Sequence, residues 1–129
     1  MFTVQEIQSA HSQVKSGADF PAYIRAIKAL GVTSYTAHVT DGHVEYRGTN
    51  AYTVTVPPKY TPLQIADHPD PAGFQAILRA HQQGQTDYLT FITQCAQSGI
   101  AKWVVALDGM TCSYYDQAGE LVLVEEIPG

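Results

Sequence analysis

The chain has 129 residues, of which 45% are hydrophobic and 15% charged, and a formal net charge of −5. This is the length of one domain (1–129), able to bury a core without a disulfide or metal staple. Its seven Lys and Arg residues are scattered, which excludes the basic footprint that nucleic acid or an anionic membrane surface requires.

The N-terminal stretch "MFTVQEIQSAHS" has neither the charged start nor the apolar run of a signal peptide. No later run reaches the length of a membrane span. Two cysteines, Cys95 and Cys112, are too few for a secreted disulfide framework, so the expected location is the reducing cytoplasm. The first helix opens at Thr3. Thr3 with Glu6 is a capping box, a feature worth about 1 kcal/mol, and Phe2 with Ile7 is its hydrophobic staple. The second helix runs from Asp19 as N-cap to Gly31, where a left-handed residue ends it.

Strands are expected over Thr33–Val39 and Val44–Gly48, joined by Asp41-Gly42 as a two-residue hairpin turn. That turn sets Val39 opposite Val44 and His38 opposite Glu45. Tyr35, Ala37, Val39, Val44 and Tyr46 then share the core face, and Thr36, His38, His43, Glu45 and Arg47 the other. A third strand, Tyr52–Val56, stops at Pro57-Pro58. The connector 57–69 has room for a short edge strand over Leu63–Ala66. A helix capped by Asp70 with Pro71 at its first position runs toward Gly84. Another spans Asp87 to Gly99, and strands follow over Lys102–Leu107, Thr111–Asp116 and Glu120–Glu126.

The second half rewrites the first. Asp19 and Asp87 open matching segments 68 residues apart (87 − 19). At that offset Tyr23 meets Phe91, Tyr35 meets Trp103, Val44 meets Cys112 and Tyr46 meets Tyr114, while Val54 and Val56 meet Val122 and Val124. The expected fold is α+β: two tandem ααβββ repeats with pseudo-twofold symmetry, forming an antiparallel sheet with helices packed on one face. The repeats fall at about 1–56 and about 70–129.

Five histidines offer chemistry. In "HVTDGH", His38 and His43 with Glu45 lie within reach of a shared metal ion. The repeat places Ala106 and Thr111 at the two histidine positions, and a solvated hairpin face explains the polar residues better. "DHPDP" (Asp67–Pro71) reads as a turn into a helix rather than a metal site, and Glu125 and Glu126 as an exposed terminus. Cys95 and Cys112 replace the apolar Ile27 and Val44 and read as core. His11 and His81 are the sharper candidates. Each follows an alanine near the end of an apolar helical stripe: Val4, Ile7, His11, Val14 in one copy, and Phe74, Ile77, Leu78, His81 in the other. A histidine there can serve its own helix end. As a symmetric pair the two can instead line a ligand pocket on the pseudo-twofold axis.

The segments "VKSGADF…ALGVTSY…DGH" and "AHQQG…DY…SGIAKWVV…MTCSYYD…LVEEIP" resemble a small bacterial family of unknown function, often labelled phage-envelope-like. The resemblance covers nearly the whole chain, and it implies neither an activity nor catalytic residues. Three classes of function follow. The preferred one is a non-enzymatic binding module for a small ligand or a protein partner, with no metal and no cofactor. The second is an enzyme using His11 and His81 as acid and base at a cleft between the repeats. The third is a structural or homodimer-forming domain using the aromatic area of Tyr52, Tyr60 and Tyr115.

Overall fold

The structure, a computed structural model, describes residues 2–14 and 17–127. Helix α1 (Val4–His11) starts at Thr3, whose hydroxyl accepts from the Glu6 N–H while the Glu6 carboxylate accepts from the Thr3 N–H. Two of the orphan donors at the helix start are thereby satisfied. Helix α2 (Phe20–Leu30) ends at Gly31 with φ 105°, the left-handed conformation that a side chain disfavours. Asp19 differs from expectation: its side chain makes no capping bond, because a 3₁₀ turn over Gly17–Asp19 leads directly into the helix. Helix α3 (Pro71–Gln82) is capped by Asp70, which accepts from Gly73 N–H, and α4 (Tyr88–Gln97) by Asp87, which accepts from Thr90 N–H.

Six strands, β1 (Ser34–His38), β2 (Val44–Arg47), β3 (Thr53–Val56), β4 (Lys102–Ala106), β5 (Thr111–Tyr115) and β6 (Leu121–Glu126), form one antiparallel sheet. The fold is α+β. Strand order is β3-β2-β1-β4-β5-β6, so each half contributes a meander and the halves join along β1 and β4. In that central ladder Thr36 lies opposite Val104, residues 68 apart (104 − 36), and Tyr35 and Ala37 lie opposite Val105 and Trp103. The two hairpins share one register: Tyr35 pairs with Tyr46 as Trp103 pairs with Tyr114, and Ala37 with Val44 as Val105 with Cys112.

The helices cover the face carrying Tyr35, Val44, Tyr46, Trp103 and Tyr114. Ile24 and Ile27 from α2, and Phe74, Ile92 and Cys95 from α3 and α4, are fully buried against it. Each large aliphatic or aromatic side chain so buried contributes about 1.5–3 kcal/mol. On the other face Thr36 alone of its strand's outward residues is buried, beside the Arg47 guanidinium that donates to its hydroxyl.

Three expectations are corrected. The first hairpin turns through four residues, 39–42, rather than two: Ala37 pairs with Val44, and His38 N–H donates to His43 O, so every partner moves by two positions. The side chains keep their faces because the strand period is also two. Leu63–Ala66 forms no strand. Its backbone instead ties down its neighbours, with Leu63 N–H donating to Thr40 O and Ala66 N–H to Ala96 O. In β6 an irregularity at Tyr114/Tyr115 advances the pairing by one, so Glu125 rather than Val124 lies opposite Cys112. Val124 accordingly points outward and is 48% exposed, whereas Val56, its expected counterpart, is buried. A one-residue slip reverses the face of every side chain beyond it.

Candidate functional site

The apolar stripe of α1 carries His11 on the last helical residue, and that of α3 carries His81 one residue before its end. Both stripes face the sheet, so both imidazoles arrive over it. They line one cavity of about 140 Å³. Its sheet side is Tyr35, Ala37, Val44 and Tyr46 from the first half and Trp103 and Tyr114 from the second. Tyr23, Leu78, Tyr88 and Phe91 close it from the helices, and Lys59, Gln82 and Glu125 add polar groups.

The two histidines are held differently. The His81 ring lies flat on Phe91, with centroids 4.1 Å apart and planes within 8°. Its Nδ1 is 3.2 Å from Thr86 O and 3.1 Å from Thr86 Oγ1. A carbonyl oxygen only accepts, so Nδ1 carries the proton and Nε2 keeps a lone pair. His81 thus serves the loop after its own helix as well as the cavity. The His11 ring stands edge-on to Tyr23 at 5.3 Å and to Tyr88 at 6.1 Å, and among the described residues its nitrogens make no hydrogen bond. Beside it the Tyr23 and Tyr46 hydroxyls are bonded at 2.7 Å. In the second half Phe91 has no hydroxyl to offer. Tyr114 donates instead to Glu125 at 2.9 Å, and Gln82 donates to the same carboxylate at 2.9 and 3.1 Å.

Burial lowers the pKa of His11, and the nearby Lys59 charge lowers it further. Burial also lowers that of His81, against smaller opposing effects of Thr86 and Asp87. Both rings are neutral at pH 7 and each can accept a proton or a hydrogen bond. Burial lowers the Lys59 pKa and raises those of Tyr23, Tyr46, Tyr88 and Tyr114. The phenols are therefore protonated, and the Lys59 Nζ lies 5.5 Å over the Tyr88 ring.

Lys59 and Glu125 are the residues that sequence reasoning misses. Glu125 was expected on an exposed terminus, yet the shifted β6 register turns it inward. Lys59 sits in the connector, where no periodicity marks a facing direction. The other candidates fall elsewhere. Asp70 is a helix cap, and Asp67 and His68 are exposed. His38, His43 and Glu45 are on the opposite face of the sheet. Cys95 and Cys112 are free, fully buried thiols outside the cavity lining, with burial pushing Cys112 up to about 12 and Cys95 higher. They lack the electropositive, accessible setting of a nucleophile. Tyr52 and Tyr60 are half-buried and donate inward, to Phe2 O and Val39 O, so they form no exposed aromatic patch.

No helix among the described residues is long and apolar enough to cross a membrane. No curated protein matches the chain. A family model described as "Protein of unknown function (DUF1398)" matches residues 8–126, a match that brings no activity and no phage-envelope label. With nearly its whole length covered, the chain belongs to the DUF1398 family.

Proposed function

We propose that this protein is a binding module for a small, largely aromatic molecule held between His11 and His81. The observation that carries the reading is that both histidines, from separate helices, line one aromatic cavity. The equal registers of the two hairpins and the 68-residue spacing at Thr36 and Val104 support an origin in two tandem repeats, with the cavity across their axis. The polar groups favour a ligand that accepts a hydrogen bond or carries partial negative charge near Lys59, and donates to a neutral imidazole or to Glu125.

Size limits the ligand further. A cavity of about 150 Å³ holds benzene, so the space of about 140 Å³ fits a single substituted ring. At about 0.5–1 kcal/mol per non-hydrogen atom, within the ceiling for small ligands, a ligand of about eight such atoms binds with micromolar to millimolar Kd. NMR chemical-shift mapping with a library of substituted phenols, benzoates and small heterocycles suits that range. The expected result is a hit that shifts resonances of His11, His81 and Trp103 and loses affinity in His11→Ala and His81→Ala. A hit that maps to the outer sheet face, or a library with no cavity hit, counts against the reading. A catalytic use has one observation in its favour, the oriented Nε2 lone pair of neutral His81. Turnover of a mapped ligand, absent in His81→Gln, distinguishes it from binding alone. The two buried free thiols fit a reducing compartment such as the cytoplasm.

A further inference from the structure

The hairpin tip that begins "HVTDGH" presents a second, separate site. The four-residue turn places His38 directly across from His43, and the two imidazoles stack with centroids 4.0 Å apart and planes within 8°. His38 Nε2–H donates to Glu45 Oε1 at 2.9 Å, a proton that an ion bound between them displaces, and His43 Nε2 is 3.9 Å from the same oxygen. One donor atom from each of the three residues lies within 4.8 Å of the others. Around a tetrahedral zinc ion, with bonds of about 2.0–2.2 Å, ligand atoms sit roughly 3.4 Å apart. The carboxylate distances already bracket that value. The parallel rings need only turn about Cβ–Cγ, a torsion that is soft for histidine.

Two further observations point to an ion rather than to a merely solvated face. Asp41 Oδ1 accepts from His43 Nδ1 at 2.5 Å, which puts a proton on Nδ1 and makes Nε2, turned to Glu45, the nitrogen that can ligate an ion. A carboxylate behind a histidine in this way fixes tautomer and orientation in metal sites. The turn itself is anchored: Tyr60 O–H, Lys59 N–H and Leu63 N–H donate to the carbonyls of Val39, Asp41 and Thr40. Donor groups on a braced element hold a geometry that mobile loops do not. The second hairpin has the same turn but Ala106 and Thr111 in place of the histidines, so the chemistry belongs to one copy only.

We propose that His38, His43 and Glu45 bind a divalent transition-metal ion of the zinc type, with Asp41 as the positioning residue for His43. Two imidazoles and a carboxylate are a three-ligand zinc set that leaves one position for water or an external ligand. The half-exposed side chains, 26%, 30% and 45% accessible, admit that fourth ligand from solvent.

The test is calorimetric titration of the chelator-treated full chain with Zn²⁺, with the Co²⁺ absorption spectrum as a second readout. Saturable one-to-one binding is expected, weakened at least tenfold by His38→Ala and by His43→Ala and unchanged by His11→Ala and His81→Ala. Asp41→Asn keeps an acceptor for the His43 N–H groups but removes the charge, and is expected to weaken binding about 10- to 100-fold. Circular dichroism of each variant checks the fold. Absence of saturable binding with zinc in molar excess overturns the proposal, as does binding that ignores His38→Ala and His43→Ala or that disappears with His11 and His81. Asp41→Asn binding as tightly as the parent chain overturns the positioning role.

Discussion

His11 ends α1 in the first half and His81 lies one residue before the end of α3 in the second, and their surroundings differ. In the second half the ring is stacked on Phe91 and bonded through Nδ1 to Thr86. In the first half it touches Tyr23 and Tyr88 only edge-on and has no hydrogen-bond partner among the described residues. The difference traces to one position. Tyr23 uses its hydroxyl on Tyr46, while Phe91 has none, and Tyr114 bonds Glu125 instead. One scaffold thus presents an imidazole held by a hydrogen bond on one side and one held by ring contacts alone, among the described residues, on the other.

The comparison predicts unequal costs. Phe91→Ala removes a fully packed ring and the platform of His81, and is expected to lower unfolding stability by about 3–5 kcal/mol in urea titration. It should also erase the fixed orientation of His81, seen as averaging of its ring resonances. A loss near zero would mean that the second half does not depend on that platform. Tyr23→Phe imposes on the first half the chemistry of the second. It strands the buried Tyr46 hydroxyl and is expected to cost about 1–3 kcal/mol, with His11 rather than His81 changing its NMR shifts.

The smallest effect is on pH dependence. Both histidines have folded-state pKa values below the unfolded 6.5. Between the two values the unfolded chain binds more protons, so stability is full above pH 6.5 and falls as pH drops through the folded values. His11 lacks the hydrogen bond and the acidic neighbour that offset burial at His81, so His11→Gln is expected to flatten this slope more than His81→Gln. Equal flattening would remove the distinction between the two sites.

Local signals carried much of the fold. Thr3 with Glu6, Asp70 and Asp87 are caps because a short acceptor at those places satisfies orphan N–H groups. Gly31 is left-handed because a helix must stop there. The core face of the first hairpin is legible because side chains alternate. Its register is not, because turns of two and four residues preserve that alternation. Glu125 is illegible for the opposite reason: a one-residue slip between Tyr114 and Tyr115 reverses parity without leaving a glycine or proline to mark it. His11 and His81 stood out because they recur on apolar stripes. Lys59 recurs nowhere, and only the folded connector brings it to the cavity.

The seam between β1 and β4 has a consequence for the order of assembly. Its strands are separated by more than sixty residues of chain (102 − 38 = 64), so closing it comes after the local hairpins in loop-entropy terms. The cavity draws its walls from both sides of that seam and does not exist until the two meanders have docked. A molecule touching both walls binds the docked state alone and holds it by mass action, by about 2.7 kcal/mol at a hundred times its Kd. The amides of Tyr35, Ala37, Trp103 and Val105, which bond across that ladder, would then exchange with solvent more slowly as ligand is added, making the middle of the sheet a gauge of occupancy at the site above it.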